Sequence, residues 1–315
     1  MFEYISQFLN NIYNFVLDNK FYFFAIIATL FWGISDVSFK KSTKPTDRYS
    51  HLKILIIIGF FMGLQAFHEL YKLYSSGQEF SFRTMYIYFP ISFLYILSMG
   101  IDFFGYRYLR ISIGSPIAST SGVIAGILSW LVLGNELNIY QLLAIIVIGL
   151  GLVRLAYLEY KDSMEGNLGK NEIVKLGASA LIFPLTYMVV DAIATFMDDY
   201  YMGEFLTEQE ALISFELTFL FIGIMSFIYL FFVKKQKFNP FKPALVVGGL
   251  AETVGQFFYV FALAGDGAVT APIMSLDGIV ASILGVIILK EKINTKQKLV
   301  ILAIGIAVAV LGYFE

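Results

Sequence analysis

Ser115-Pro116-Ile117-Ala118-Ser119-Thr120-Ser121-Gly122 returns, at one fixed offset and without a gap, as Ala271-Pro272-Ile273-Met274-Ser275-Leu276-Asp277-Gly278. The likeness runs on. Ala125, Ile127, Leu128, Leu133, Asn138, Gln141, Leu143, Ile145, Ile148 and Gly149 recur as Ala281, Ile283, Leu284, Leu289, Asn294, Gln297, Leu299, Ile301, Ile304 and Gly305. One segment has been written twice. The copies part at a short loop: Gly134-Asn135-Glu136-Leu137-Asn138 has no lysine, whereas its counterpart carries Lys290, Lys292, Lys296 and Lys298. Related loops of contrasting charge are expected of two copies inserted upside down to each other, as in many secondary transporters.

The chain is 58% hydrophobic and 17% aromatic, with 15% charged residues. A soluble chain would carry roughly 25% charged residues, so the composition indicates an all-α polytopic membrane protein. There is no cysteine, which excludes disulfides, thiol nucleophiles and thiolate metal sites. The two histidines, His51 and His68, are too few for a histidine-based zinc site. No metal or cofactor is expected. The net charge of −2 gives no sign of a nucleic-acid partner, and none is expected. Glu3 and Asp18 flank the first apolar stretch with no basic region before it, so no cleavable signal peptide is read.

A crossing helix needs about 20 mostly apolar residues. Ten segments qualify: 21–40, 52–71, 84–106, 112–133, 139–157, 172–197, 210–233, 243–264, 268–289 and 295–313. Residues 1–20 form an N-terminal segment in which 2–17 read as an amphipathic helix lying at the interface. If 2–17 crossed instead, Asn10, Asn11 and Asn14 would enter the bilayer and the N-terminus would change sides. The charged, glycine-bearing linker 159–171 separates two five-helix units, 21–158 and 172–315. Five is odd, so copies in series run in opposite directions. Of the 22 Lys and Arg, all but Lys20, Lys72 and Arg83 fall at the loops after the first, third, fifth, seventh and ninth segments. The positive-inside rule makes those loops cytoplasmic and puts both termini outside.

Ser115-Pro116-Ile117, Gly122, Leu133-Gly134-Asn135-Glu136-Leu137, Gln141 and Gly149 resemble the first EamA domain of the drug/metabolite transporter superfamily. Ala271-Pro272-Ile273, Gly278, Leu289-Lys290-Glu291-Lys292, Gln297 and Gly305 resemble the second, and Phe31-Trp32-Gly33 is similar to that family's opening Trp-Gly. Phe183-Pro184 and Tyr187 stand where the second domain often has Trp-Ala or Trp-Gly. The resemblance implies a ten-helix carrier with a central cavity, working by alternating access in the cell membrane. It also implies cytoplasmic termini, against the charge count. It does not specify a substrate.

Ionisable side chains inside a bilayer are functional candidates by default. Glu252 and Asp277 sit near the middle of their segments, Glu216 about a third of the way in, and Asp191 within two turns of Asp198-Asp199. Asp36 and Asp102 lie near segment ends. No lysine or arginine is expected at the depth of Glu252 and Asp277, which suits a proton carrier or a counter-ion for a cationic substrate. A carboxyl making one interhelical hydrogen bond is the plainer use. Asp277 has uncharged Ser121 as its repeat partner, whereas Asp191 aligns roughly with Asp36. Lys40 follows Asp36 by one turn, so an interfacial ion pair accounts for Asp36 cheaply. Trp32 precedes Asp36 by one turn, and Gln256 and Tyr259 share a helix face with Glu252. An acid among aromatics on one stripe suits an ammonium group held by charge and cation–π attraction; packing is the default for any single aromatic. Pro116, Gly122, Pro272 and Gly278 are candidate gate or hinge residues, with tight packing the competing use.

The reading is a non-enzymatic secondary carrier for a small polar or cationic metabolite, coupled to protons or to an exchanged solute. Lipid surrounds it, and a homodimer is compatible. The alternatives are a membrane enzyme or lipid-handling protein, for which no His/Asp/Arg cluster is seen, and a non-transporting interaction partner. No Walker A pattern is present.

Overall fold

Inside a bilayer the backbone must satisfy its own hydrogen bonds, which leaves helices as the available form for apolar segments of this length. A computed structural model describes residues 20–134, 137–164, 180–265, 267–290 and 294–313. Among them every regular element is helical. The α-helices are α1 (Lys20–Ser42), α2 (Ser50–Ser75), α3 (Phe82–Gly105), α4 (Ile111–Ala118), α5 (Thr120–Leu128), α6 (Ile139–Met164), α7 (Ile182–Glu204), α8 (Glu208–Ile228), α9 (Pro243–Leu263), α10 (Gly267–Met274), α11 (Asp277–Ile288) and α12 (Thr295–Tyr313). Widened π-helical turns extend α5 over Ser129–Leu133 and α8 over Tyr229–Val233. Among the described residues seven stretches are long and apolar enough to cross a membrane: Lys20–Ser42, Ser50–Ser75, Phe82–Gly105, Gly114–Leu133, Glu208–Val233, Pro243–Leu263 and Gly267–Ile288. Ile139–Leu155 is a shorter apolar helix.

Two expectations need correction. The segments 112–133 and 268–289 are not continuous helices. The first breaks at Ser119 between α4 and α5, the second at Ser275-Leu276 between α10 and α11. Pro116 and Pro272, lacking an N–H, leave the carbonyls one turn back without a helical donor and weaken the rod just before each break. The linker expected at 159–171 begins inside α6, which runs on to Met164. The proposed interfacial helix at 2–17 and the residues 165–179 lie outside the described residues.

Packing repeats the duplication. Helix α1 lies along α9, and its counterpart α7 lies along α3, so the same contact between unlike repeat positions is made twice. Helix α2 packs on its own counterpart α8, and α6 on α12. The broken segments show the sense of the relation: α4 meets α11 and α5 meets α10, first half against second half. They cross antiparallel. A Cβ on Gly278 would lie 2.9 Å from both Pro116 Cα and the Ser115 carbonyl, and a Cβ on Gly122 would meet Ser275 and the Ala271 carbonyl. Each glycine thus rests on the other copy of its own motif, and backbones approach this closely only without a side chain.

The recurring Asn138…Gln141 and Asn294…Gln297 are helix caps. Asn138 Oδ1 accepts from Gln141 N at 2.9 Å while Gln141 Oε1 accepts from Asn138 N at 2.9 Å. Asn294 and Gln297 repeat the exchange at 3.0 and 2.5 Å. This is the capping-box geometry with Asn and Gln in place of Ser and Glu, and it starts α6 and α12.

Candidate functional site

Between the repeats lies a cavity of about 80 Å³, several times the ~10–15 Å³ that one water needs. Helices α1, α3, α7 and α9 wall it, and the breaks in the two crossed segments open onto it. It collects Trp32, Asp36, Asp191, Glu252, Gln256, Tyr259 and Asp277, seven of the eight residues the sequence singled out as binding or coupling candidates. Gly122 lines it as well; Pro116, Pro272 and Gly278 stand behind the wall as the crossing itself. Glu216 lies elsewhere, fully buried on α8, with neither carboxyl oxygen hydrogen-bonded.

Among the described residues five carboxyls line this space (Asp36, Asp102, Asp191, Glu252 and Asp277), and no lysine or arginine does. Each is held differently. Asp36 accepts hydrogen bonds from Tyr106 and Ser115, both at 2.5 Å. The Asp36–Lys40 ion pair offered by the sequence does not form: Lys40 Nζ donates to the carbonyls of Tyr106 and Leu109 instead, at 2.6 and 2.5 Å. The helix brings Lys40 to the frayed carbonyls at the end of α3, where a cation answers the dipole. Glu252 Oε2 accepts from Ser35 at 2.7 Å. Asp191 accepts from Ser121 across the repeats at 2.8 Å. Asp277 is not deep within a helix as expected; it is the first residue of α11 and accepts from the Gly278 N–H at 2.7 Å. A helix N-terminus carries partial positive charge and unsatisfied N–H groups, which favours a carboxylate there.

The duplication explains one asymmetry. Ser121 faces Asp191; at the equivalent place Asp277 stands within electrostatic reach of Asp36. Where one half has a hydroxyl and an acid, the other has two acids, and Glu252 feels both. Like charges that share a low-dielectric site repel one another, and a proton or a cation among them relieves that repulsion.

The cavity's other end carries a second network. Asp198, fully buried on α7, accepts from Tyr88 at 2.6 Å and from Tyr259 at 3.0 Å. The hydroxyls of Tyr259 and Tyr95 meet, and Tyr95 donates to Thr195 at 3.0 Å. Tyr95, Thr195 and Tyr259 line the cavity, whereas the adjacent Asp199 lines a separate polar opening of about 440 Å³ with Glu204 and Glu208. The Tyr259 ring lies 5.1 Å from Trp32, whose indole nitrogen has no hydrogen-bond partner. Tyr88, Tyr95, Tyr106 and Asp198 were missed as site residues. A signal was there: Tyr88, Ser92, Tyr95 and Asp102 of α3, with Tyr106 just past its end, share one face at helical spacing.

A family model described as EamA-like transporter family matches residues 19–157 and again 180–313. A solved structure described only as "Crystal structure of protein" superposes with a TM-score of 0.66, covering 94% of this chain and 99% of that one at 11% identity. At that identity the likeness speaks to the fold alone. No curated protein matches.

Proposed function

This chain belongs to the EamA-like transporter family, a family of carriers rather than enzymes, and we propose that it is a secondary active transporter for a small cationic metabolite. The observation that carries the reading is the five-carboxyl, cation-free cavity between the repeats. Carboxyls this crowded are tolerated when protonated or when a cation lies among them, so cargo and protons compete for one site. An ammonium group would take its charge from Glu252, Asp277 and Asp36 and its faces from Trp32 and Tyr259. Exchange follows: cargo entering displaces protons, and protons entering displace cargo.

In this scheme ten spans in two inverted five-helix units, 21–158 and 172–315, enclose the site in the cell membrane. Access alternates between two hydrogen-bonded bars. The Asp36–Tyr106–Ser115 cluster closes one end and the Tyr88–Asp198–Tyr259 cluster the other, and the crossing at Pro116, Gly122, Pro272 and Gly278 is the pivot. Uptake of labelled organic cations into proteoliposomes, with and without a pH gradient, is the test. Flux driven by the gradient, lost in Glu252→Gln and in Asp277→Asn without loss of folded protein, supports the proposal. Full activity in both variants contradicts it.

A further inference from the structure

A second cavity lies on the outer wall of the bundle. It is a groove of about 560 Å³ between α2, α3 and α8, lined also by Phe183 of α7. Its lining is apolar except for Thr218 and, at its head, His51. Phe93 and Phe221 on its rims are half exposed. A Cβ on Gly100, at its floor, would meet only Leu55 and that at 3.9 Å, so this glycine leaves the groove hollow where a side chain would fit without strain. Along α3 it runs from Phe89 to Phe104, roughly 22 Å at about 1.5 Å per residue, enough to cross the ~15 Å of one leaflet of hydrocarbon.

The head of the groove lies beside one arginine. The Arg107 guanidinium lies over the rings of Phe104 and Tyr108, at 5.2 and 5.1 Å, and His51 stacks edge-on against the same Phe104 at 5.1 Å. Arg107 donates a hydrogen bond, 3.1 Å to the Pro45 carbonyl; its Nε and the Nδ1 of His51 are buried and without a partner among the described residues. A guanidinium has five donors to place. Asp47, the carboxylate whose charge acts on His51, is already engaged by Lys53 at 2.5 Å and by the Tyr49 N–H at 3.2 Å. Lys44, Arg48 and Arg110 share this end of the molecule. A slot for a hydrocarbon chain therefore ends at Phe104, beside a planar cation for which no ion pair is made among the described residues.

We propose that the groove is a binding site for an anionic phospholipid, with one acyl chain along α3 over Gly100 and the headgroup phosphate on Arg107 and His51. Planar guanidinium donors suit phosphate oxygens in a bidentate pair, and basic pockets between helices at a membrane face select anionic headgroups. The site is separate from the cargo cavity and stands whatever that cavity carries. Phe183, which lines the groove, also packs where a Cβ on Gly105 would fall. A bound chain would thus bear on the α3–α7 contact that walls the cavity.

The test is native mass spectrometry of the full chain in detergent, offered equimolar phosphatidylglycerol and phosphatidylcholine with identical acyl chains. The wild type should retain phosphatidylglycerol about five- to tenfold over phosphatidylcholine. Arg107→Gln should bring the ratio to about one, Arg107→Lys should keep part of it, and Gly100→Leu should reduce retention of both lipids by filling the slot. Should Gly100→Leu fail to fold, the Arg107 pair still decides. Equal retention of both headgroups by the wild type, or an Arg107→Gln variant that discriminates as the wild type does, overturns the assignment.

Discussion

Replacing Tyr88 by Phe deletes one oxygen from a fully buried ring and nothing else. Its hydroxyl donates to Asp198 at 2.6 Å, one of two hydrogen bonds that carboxyl takes from tyrosines. A buried hydrogen bond to a charged group is worth about 1.5–3 kcal/mol. If the Asp198 cluster is the closed bar of the gate, that much is removed from the closed state alone, and at about 1.4 kcal/mol per tenfold the open population rises roughly 10- to 150-fold. The chain has no cysteine, so a single Met274→Cys, buried in the cavity wall, reports access without background. A membrane-impermeant thiol reagent is applied from the face that carries Asp199, Glu204 and Glu208, and the modification rate is compared with and without Tyr88→Phe. At least a tenfold acceleration is expected from that face, and none from the other. An unchanged rate in a folded variant would show that Asp198 braces the helices and gates nothing.

Other consequences are as direct. Gly278→Ala places a methyl 2.9 Å from two backbone atoms of α4, neither able to turn aside; overpacking should cost about 1–3 kcal/mol, read as a lower thermal midpoint, and a midpoint equal to wild type would refute the tight crossing. Gly255→Ala would bring a methyl within 2.5 Å of Trp32 Cδ1, so it should push the indole off the cavity wall and weaken cargo binding more than it lowers stability; unchanged affinity removes Trp32 from the site. Single cysteines at Asn239 and Glu204 should label from opposite faces, Asn239 from the cytoplasm; the reverse pattern refutes the orientation taken from the lysine and arginine count.

The duplicated motif made the all-helical, two-repeat fold legible, and the structure adds where the two copies touch. The breaks in the crossed segments were less legible. Pro116 and Pro272 marked weak points, but prolines are tolerated within membrane helices when neighbours supply the missing partners, and only the crossing decides that α4 and α10 stop. Asp277 was read as mid-helix for that reason, whereas it opens α11. Asn138, Gln141, Asn294 and Gln297 were seen to recur, and their use as caps needed the loop geometry. Asp36 and Lys40 have the spacing of an ion pair, but burial gave each a better partner in Tyr106. Glu216 had the composition of a site residue; which way α8 faces is a packing decision that no spacing on α8 alone reveals. Asp198 was passed over as the polar end of a helix, since nothing local shows that Tyr88 and Tyr259, far away in sequence, converge on it.

The most direct measurement is equilibrium binding of a permanently charged quaternary ammonium solute, set against its neutral carbon isostere, to the purified protein. The wild type should bind the cation and not the isostere, and Glu252→Gln combined with Asp277→Asn should erase the difference. Equal binding of the two solutes, or a preference that survives the loss of both carboxylates, would contradict an acid-lined cation carrier.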